Sequence, residues 1–456
     1  MFPSRAWEQA RATAAWLFVG LICLLGSPLW AAEEDPNEAQ IQLVIAFLGE
    51  PDRETRAVGL QFIREELPGE AATKRFAALL PDLSAEAQVD LLDALGDRQD
   101  ASARPAVLEM LASQEVAVRA ASLRALGGLG GEADVPLLAG KTAADSEPEK
   151  LAARQSLVRM RGDGVNGAVV AAMAEAEPAV RIELLGVLAI RNARETLPSV
   201  LESVKDSEAS VRLAALSAVR YLAEEKDAAV IVDILKAAEG DAEKRGAELA
   251  MLAVASRGRE DSAEPIIAGL AEADVASRLV LLGGLARAGG PKALSAIVAR
   301  LSDDEEAVRD QAVRMLSIWP DPAVTPHLLE IVKTDESLRH QVLAIRGLVR
   351  LAGPQDDQPA DLERLTEAMS LAKRPEEKRL VLGVLGGVGT LPALDLATSA
   401  PDDTALADEA GLAAVMIAET MKEGDKDQIR AAMEKVEKTV KNQQIRQRAE
   451  KVLSSL

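Results

Sequence analysis

Residues Ser302 to Val332 read SDDEEAVRDQAVRMLSIWPDPAVTPHLLEIV, and the plan of most of the chain is contained in them. An acid, Asp303, precedes a Val308-Arg309 pair, and Val313 and Leu316 follow four and seven residues after Arg309, on one side of a helix. Asp321-Pro322 then marks a turn. Pro326 stands where a new helix begins, because the first helical position loses nothing by lacking an N–H. The stretch therefore reads as the second helix of one hairpin followed by the first helix of the next.

Working outward from Arg309, the same arrangement returns along the chain. The anchor position is occupied by Arg56, Gln88, Arg119, Lys150, Arg181, Arg212, Arg245, Arg278 and Arg309 at intervals of 31 to 33 residues, and less cleanly near Gln341 and Lys378. The positions four and seven beyond it repeat the aliphatic face: Leu60 and Ile63, Leu92 and Leu95, Leu123 and Leu126, Leu185 and Leu188, Leu249 and Leu252, Leu282 and Leu285. Arg154 interrupts that row. In VRLAALSAVRYLAEE, Val211, Ala215, Leu216, Val219 and Leu222 make one apolar side. Seventeen residues after the anchor, Pro105, Pro136, Pro198 and Pro326 open the following helix. A period in the thirties built of two helices predicts an all-α solenoid of about 11–12 helical hairpins, each burying its apolar faces only by stacking on neighbours.

Six residues before the anchor stands an acid in most repeats: Glu50, Asp82, Glu175, Asp206, Glu239, Glu272 and Asp303, with Ser113 and Ala144 departing and Asp335 at the same offset from Gln341. The expectation is a cap on the second helix, favoured by the positive end of its dipole. Together Arg56, Arg119, Arg181, Arg212, Arg245, Arg278 and Arg309 with Asp82, Asp206 and Asp303 form an expected ladder of ion pairs tying adjacent repeats. A calcium-binding ladder lacks the D-x-D-x-D-G loop it needs. The second helices are expected to line a concave face carrying Arg124, Ser217, Arg220, Tyr221, Arg287 and Arg314, with the small residues Gly186, Ala250 and Gly283 among them.

On these residues, and on Ser302–Val332 most clearly, the chain resembles HEAT-repeat proteins, and is similar to the short bacterial HEAT-like repeats of the phycobilin lyase family. The resemblance covers about residues 40 to 390. It implies a right-handed superhelix of helical hairpins used mainly to bind proteins. It implies no shared catalytic residue, so no catalytic, cofactor-binding or metal-binding residue is carried over. HEAT-like enzymes resemble the chain only in architecture: deoxyhypusine hydroxylases need paired His-Glu motifs absent here, and the DNA glycosylases need a basic, aromatic-lined channel.

Composition narrows the rest. The 456 residues are 48% hydrophobic and 27% charged but only 2% aromatic, so aliphatic side chains must fill the core. Residues 1–32 read as a signal peptide: Arg5 and Arg11 precede an uncharged run from Ala12 to Ala32 that contains WLFVGLICLLG and ends in small residues before Glu33. The expected location is periplasmic or otherwise exported. The alternative is an uncleaved inner-membrane anchor, since 21 uncharged residues are just long enough to span a bilayer. Cys23, the one cysteine, lies inside this run and follows Ile22, unlike a lipoprotein signal. Without the segment the chain carries 50 Lys and Arg against 72 Asp and Glu, a formal charge near −22. That balance argues against nucleic acid and predicts a protein partner with a basic segment. Residues 33–424 are expected to form the solenoid and 425–456 a capping hairpin, with polar loops at 353–363 and 399–404.

Chemistry is scarce in the chain. His327 and His340 are the two histidines, neither in a metal-ligand motif; His340 is expected on a solvated helix face. LGGLGGEAD (126–134) and LGGVGTLP (385–392) follow no strand and lack G-K-[ST], and read as left-handed C-caps. The expected function is that of an exported, non-enzymatic scaffold needing no cofactor. The alternatives are a small-molecule subunit or enzyme with a pocket in the irregular 350–410 region, and a membrane-anchored spacer.

Overall fold

The computed structural model describes residues 36–354, 359–399, 406–421 and 425–456. The expected signal segment lies outside them, as do parts of both polar loops and of the 350–410 region. The described residues are helices joined by short turns, and they group into two compact units that divide at Arg191 and Asn192. The fold is an all-α solenoid of helical hairpins.

In the first unit, the second helices are Arg53–Glu65, Ala85–Arg98, Val116–Leu129, Glu147–Arg159 and Pro178–Ile190, each packed against the next. Leu60, Ile63, Leu92, Leu95, Leu123, Leu126, Leu185 and Leu188 are all buried, as periodicity predicts. The first helices are shorter: Arg104–Glu109 and Val135–Lys141 each carry Pro in the opening turn, as does Leu197–Ser203 of the second unit.

Glycines decide how near these helices come. A Cβ on Gly128 would sit 2.2 Å from the Gly96 carbonyl oxygen, and one on Gly127 would sit 3.0 Å from Ser156 Cα. Ser156 Oγ donates to Leu123 O at 2.6 Å across the same seam. LGGLGGEAD is therefore a close-packing seam and not a left-handed cap: Gly130, which ends the helix, has φ −85°, and no glycine of either Gly-rich string has positive φ. A helix cap and a helix contact both select glycine, and only the neighbour's position separates them.

In the second unit the second helices run Ala209–Leu222, Gly240–Gly258, Val275–Ala288, Glu306–Ser317, Leu338–Ala352, Pro375–Leu385 and Ala407–Thr420, and the hairpin Lys426–Thr439 and Gln443–Ser455 follows. That hairpin packs Ile429, Met433, Val436, Ile445, Ala449 and Val452 inward, and Arg448 pairs with Glu419 of the preceding helix. Helix Gly240–Gly258 corrects the expected register. Leu249 is 41% exposed and Leu252 half-buried, while Ala247, Ala250, Met251 and Val254 are buried. The anchor there is Ala247, not Arg245: it stands 31 residues before Arg278, and Arg245 is exposed. A helix Cβ set turns by 100° per residue, so a two-residue slip exchanges the buried and exposed sides.

Two substitutions test the seam. Gly128→Ala should lower unfolding free energy by about 1–3 kcal/mol, since backbone blocks the new methyl. Gly186→Ala, in a helix interior with nothing near its Cβ direction, should raise it by about 0.5–1 kcal/mol. Urea titration of each variant reads both.

Candidate functional site

The anchor arginine serves two neighbours at once. Arg119 Nη1 donates to the carbonyls of Ser113 and Gln114 at 2.9 and 3.0 Å, and its Nη2 reaches Glu149 of the next second helix at 2.6 Å. Arg212 repeats this with the carbonyls of Asp206 and Ser207 and with Glu243. Arg56 does so with Glu50 O, Pro51 O and Glu86. Arg309 Nη1 bonds Asp303 O and Asp304 O, and Gln341 keeps the carbonyl bond, to Asp335 O at 2.6 Å, while its Oε1 accepts from Lys373 Nζ at 3.0 Å. Burial with these partners satisfies turn carbonyls that would otherwise be orphaned.

The acid ladder six residues upstream is thereby corrected. What the anchor takes from that position is its backbone carbonyl, which is why Ser113 serves as well as Asp206. The side chain there caps locally: Asp206 Oδ1, Asp303 Oδ1 and Ser113 Oγ each accept from the N–H two residues on. True N-cap bonds come from four residues before the anchor, where Asp52, Ser84, Asp274 and Ser337 each accept the N–H three residues on. Asp82 is exposed. Asp303 takes an anchor guanidinium, Arg278 at 2.9 Å. Arg181 is half-buried.

A second arginine set closes the other ends of the same helices. Arg98 Nη1 donates to Ile63 O at 2.6 Å, and Arg191 Nη1 to Leu157 O and Met160 O at 2.7 Å each. Arg257 Nη2 reaches Ala223 O at 2.6 Å, and Arg350 Nη2 reaches Trp319 O at 2.5 Å. Each caps the C-terminal carbonyls of the preceding second helix, where cations are favoured. Burial holds the Arg98, Arg257 and Arg350 guanidinia below their ordinary pKa. An arginine nine or ten residues after the anchor was the available signal, but its irregular recurrence hid it.

His340 is buried and not solvated. Its Nδ1 lies 2.7 Å from Asp335 Oδ2 and its Nε2 2.7 Å from Asp310 Oδ1, so it clamps helix Leu338–Ala352 to helix Glu306–Ser317. Burial opposes its charge, but the two carboxylates outweigh burial and raise its pKa above the ordinary 6.5. The bond to His340, with Arg339 and Arg314 nearby, holds Asp310 below its usual range. A helix position facing a neighbour's acid is invisible until the neighbour is placed. His327 is half-exposed beside Pro326.

The exposed sides of the second helices differ between the units. In the first, Arg124 pairs with Asp93 at 3.0 Å and Arg64 with Asp97 at 3.1 Å, beside Arg159, which is exposed and makes no ion pair among the described residues, in a polar cleft. In the second, Ser217, Arg220, Tyr221, Arg287 and Arg314 of the expected face are all exposed, as is Arg346. Arg220 lies 5.6 Å from the Tyr221 ring centroid, a cation–π contact. Among the described residues none of Arg220, Arg287, Arg314 and Arg346 makes an ion pair. Leu213, Leu249, Tyr221 and Ile318 add exposed apolar surface to the same helices. No group of three or more His, Cys, Asp or Glu among the described residues is placed to hold a metal, and no described helix is long and apolar enough to cross a membrane.

A family model described as HEAT repeats matches residues 72–158 and 263–349. Among solved structures the chain is similar to the karyopherin Kap121p bound to the extreme C-terminus of the protein phosphatase Cdc14p, at 13% identity and TM-score 0.50, over 100% of this chain and 57% of that one. It is also similar to Kap121p bound to Ste12p, at 13% identity and TM-score 0.49, over 93% and 53%. The chain thus spans little more than half the length of these neighbours, and at such identity they speak to fold alone. A comparison with curated protein sequences finds no match.

Arg119→Ala should cost about 2–3 kcal/mol, because it strips a largely buried carboxylate and two carbonyls, whereas Arg64→Ala, from a more exposed pair, should cost under about 1 kcal/mol. Denaturant titration separates the two. For the clamp, a folded pKa above the unfolded one means its stabilisation is complete below about pH 6.5 and is lost as pH rises through the raised value. His340→Gln should therefore lower the melting temperature most near about pH 6, and the gap to the parent should narrow by about pH 9. Melting curves at both pH values check the sign.

Proposed function

We propose that this HEAT-repeat chain is an exported, non-enzymatic scaffold that binds another protein along the exposed faces of its second helices, the faces expected to be concave. The observation that carries this reading is the face of the second unit, where Arg220, Arg287, Arg314 and Arg346 stand without ion-pair partners among Leu213, Tyr221, Leu249 and Ile318. Many other guanidinia of the solenoid, such as Arg119, Arg212, Arg98 and Arg191, are satisfied by neighbouring carboxylates and carbonyls. A row of side chains left unsatisfied, set between exposed apolar groups on parallel helices, has the make-up of a recognition surface. Arginine and tyrosine are also the residues most enriched at binding hot spots. The karyopherin Kap121p bound to the extreme C-terminus of Cdc14p is an instance of such use of a similar fold.

Export rests on residues 1–32, with their basic start, apolar run and small-residue end. The whole-chain charge near −22 favours a partner with a basic segment, but the face itself is cationic. Charges farther away than about 8 Å are screened at physiological ionic strength, so the local arginines govern a contact made there. A basic segment is the expectation from the whole-chain charge, and for this face we propose the opposite charge.

Crosslinking of the tagged full chain in native envelope extract, at low and high salt, should capture a stoichiometric protein whose crosslinks map to the second-helix faces. The processed chain should fractionate as soluble envelope protein. Capture of nothing protein-sized at either salt would overturn the scaffold reading, and a membrane-bound, unprocessed chain would replace export with anchoring.

A further inference from the structure

On the scaffold reading above, we infer that the second unit binds an extended acidic peptide bearing interspersed apolar side chains, across helices Ala209–Leu222 to Leu338–Ala352. Relative to each anchor, the positions one, two, five, eight and nine residues on share one helix side, the eighth being buried at Ala255, Ser317 and Val349 and exposed at Arg220. With Ala247 as the anchor of its helix, those positions contain Arg220, Arg287, Arg314, Arg346 and Arg350 against two acids, Glu248 and Asp310. Asp310 is already engaged by His340 and Arg339, and Arg350 by backbone carbonyls. Four guanidinia therefore remain for a partner, in a chain whose acids outnumber its bases by 21. That excess of acid lies elsewhere, which makes the local cationic strip a departure from the composition.

The apolar members of the strip set the partner's second property. Tyr221 is 54% and Ile318 58% exposed, and Leu213 and Leu249 are more than a third exposed. A purely anionic ligand leaves them wet; an acidic peptide with Leu or Phe at intervals covers them. Guanidinia pair carboxylates in a planar two-point geometry, and stacking of Arg220 on Tyr221 presents that cation already oriented. Neighbouring helices lie roughly 10 Å apart, so five of them span roughly 40 Å, which an extended segment of about 12–15 residues crosses.

The probe is a fluorescein-labelled peptide of about 15 residues with Glu or Asp at two of every three positions and Leu or Phe at the third, read by anisotropy against the full chain. It should bind saturably, more weakly at higher salt. Binding should fall at least about tenfold in Arg287→Glu/Arg346→Glu, which leaves the Asp310 clamp untouched, and also in Arg287→Gln/Arg314→Gln/Arg346→Gln. Arg430→Glu, exposed in the terminal hairpin, should leave it unchanged. The inference is overturned if the acidic peptide does not bind, if a Lys-for-Glu counterpart binds as well or better, if an oligonucleotide of equal charge competes equally, or if the arginine variants retain parental affinity while melting as the parent does. If either arginine variant fails to melt cooperatively, the other decides. A stoichiometric crosslinked partner together with peptide failure would leave the scaffold standing and remove only its acidic ligand; an empty capture would remove the scaffold.

Discussion

A helical hairpin has more apolar surface than its own two helices can cover, and everything else in this chain follows from having to lend that surface to neighbours. Leu, Ile, Val and Ala do nearly all of the covering, since the described core contains only Phe76 and Trp319 as large aromatics. Aliphatic side chains pack at many orientations, and a core built from them tolerates repetition with small changes of register. The slip to Ala247 is one such change: the helix still starts 31 residues after the preceding one, at Gly240, and four extra residues are taken up in its opening turns, after which the buried side is restored.

Stacking creates a second requirement, because the turn between the two helices of each repeat is pressed against the next repeat and its carbonyls need donors. The anchor guanidinium answers that need. Its forked donors reach two carbonyls in its own turn and a carboxylate one repeat on, which a lysine's single ammonium does less well. Lys150 accordingly pairs only with Glu147 nearby, at 2.6 Å. The arginines at the helix C-termini do the corresponding work at the opposite end. Much of the described arginine is thus engaged in holding the stack, and Arg220, Arg287, Arg314 and Arg346 on one face of the second unit are not.

The two units use one plan to different ends. In the first, Arg64 and Arg124 are neutralised by Asp97 and Asp93, and glycines bring the helices close along that seam. In the second, the same helix side carries four arginines without ion-pair partners, against the acids Glu248 and Asp310, and apolar residues without cover. Nothing in the periodicity requires the difference, since outward positions do not contribute to the core and are free to be chosen for binding.

The sequence by itself determined the helices, their period, the buried aliphatic columns and the proline-opened first helices, because these depend on residue spacing along one element and on the chemistry of single residues. It also placed Ser217, Arg220, Tyr221, Arg287 and Arg314 on an outward side, since 3.6 residues per turn settles side from position. Only the tertiary structure decided which acid meets which arginine, that the turn six residues before the anchor offers it backbone carbonyls, that His340 is buried between Asp310 and Asp335, and that Gly128 is kept for the nearness of Gly96. Each of these depends on residues about 30 positions apart being brought within a few ångströms. Stacking distance and register set that separation, and neither is written in the spacing of one helix.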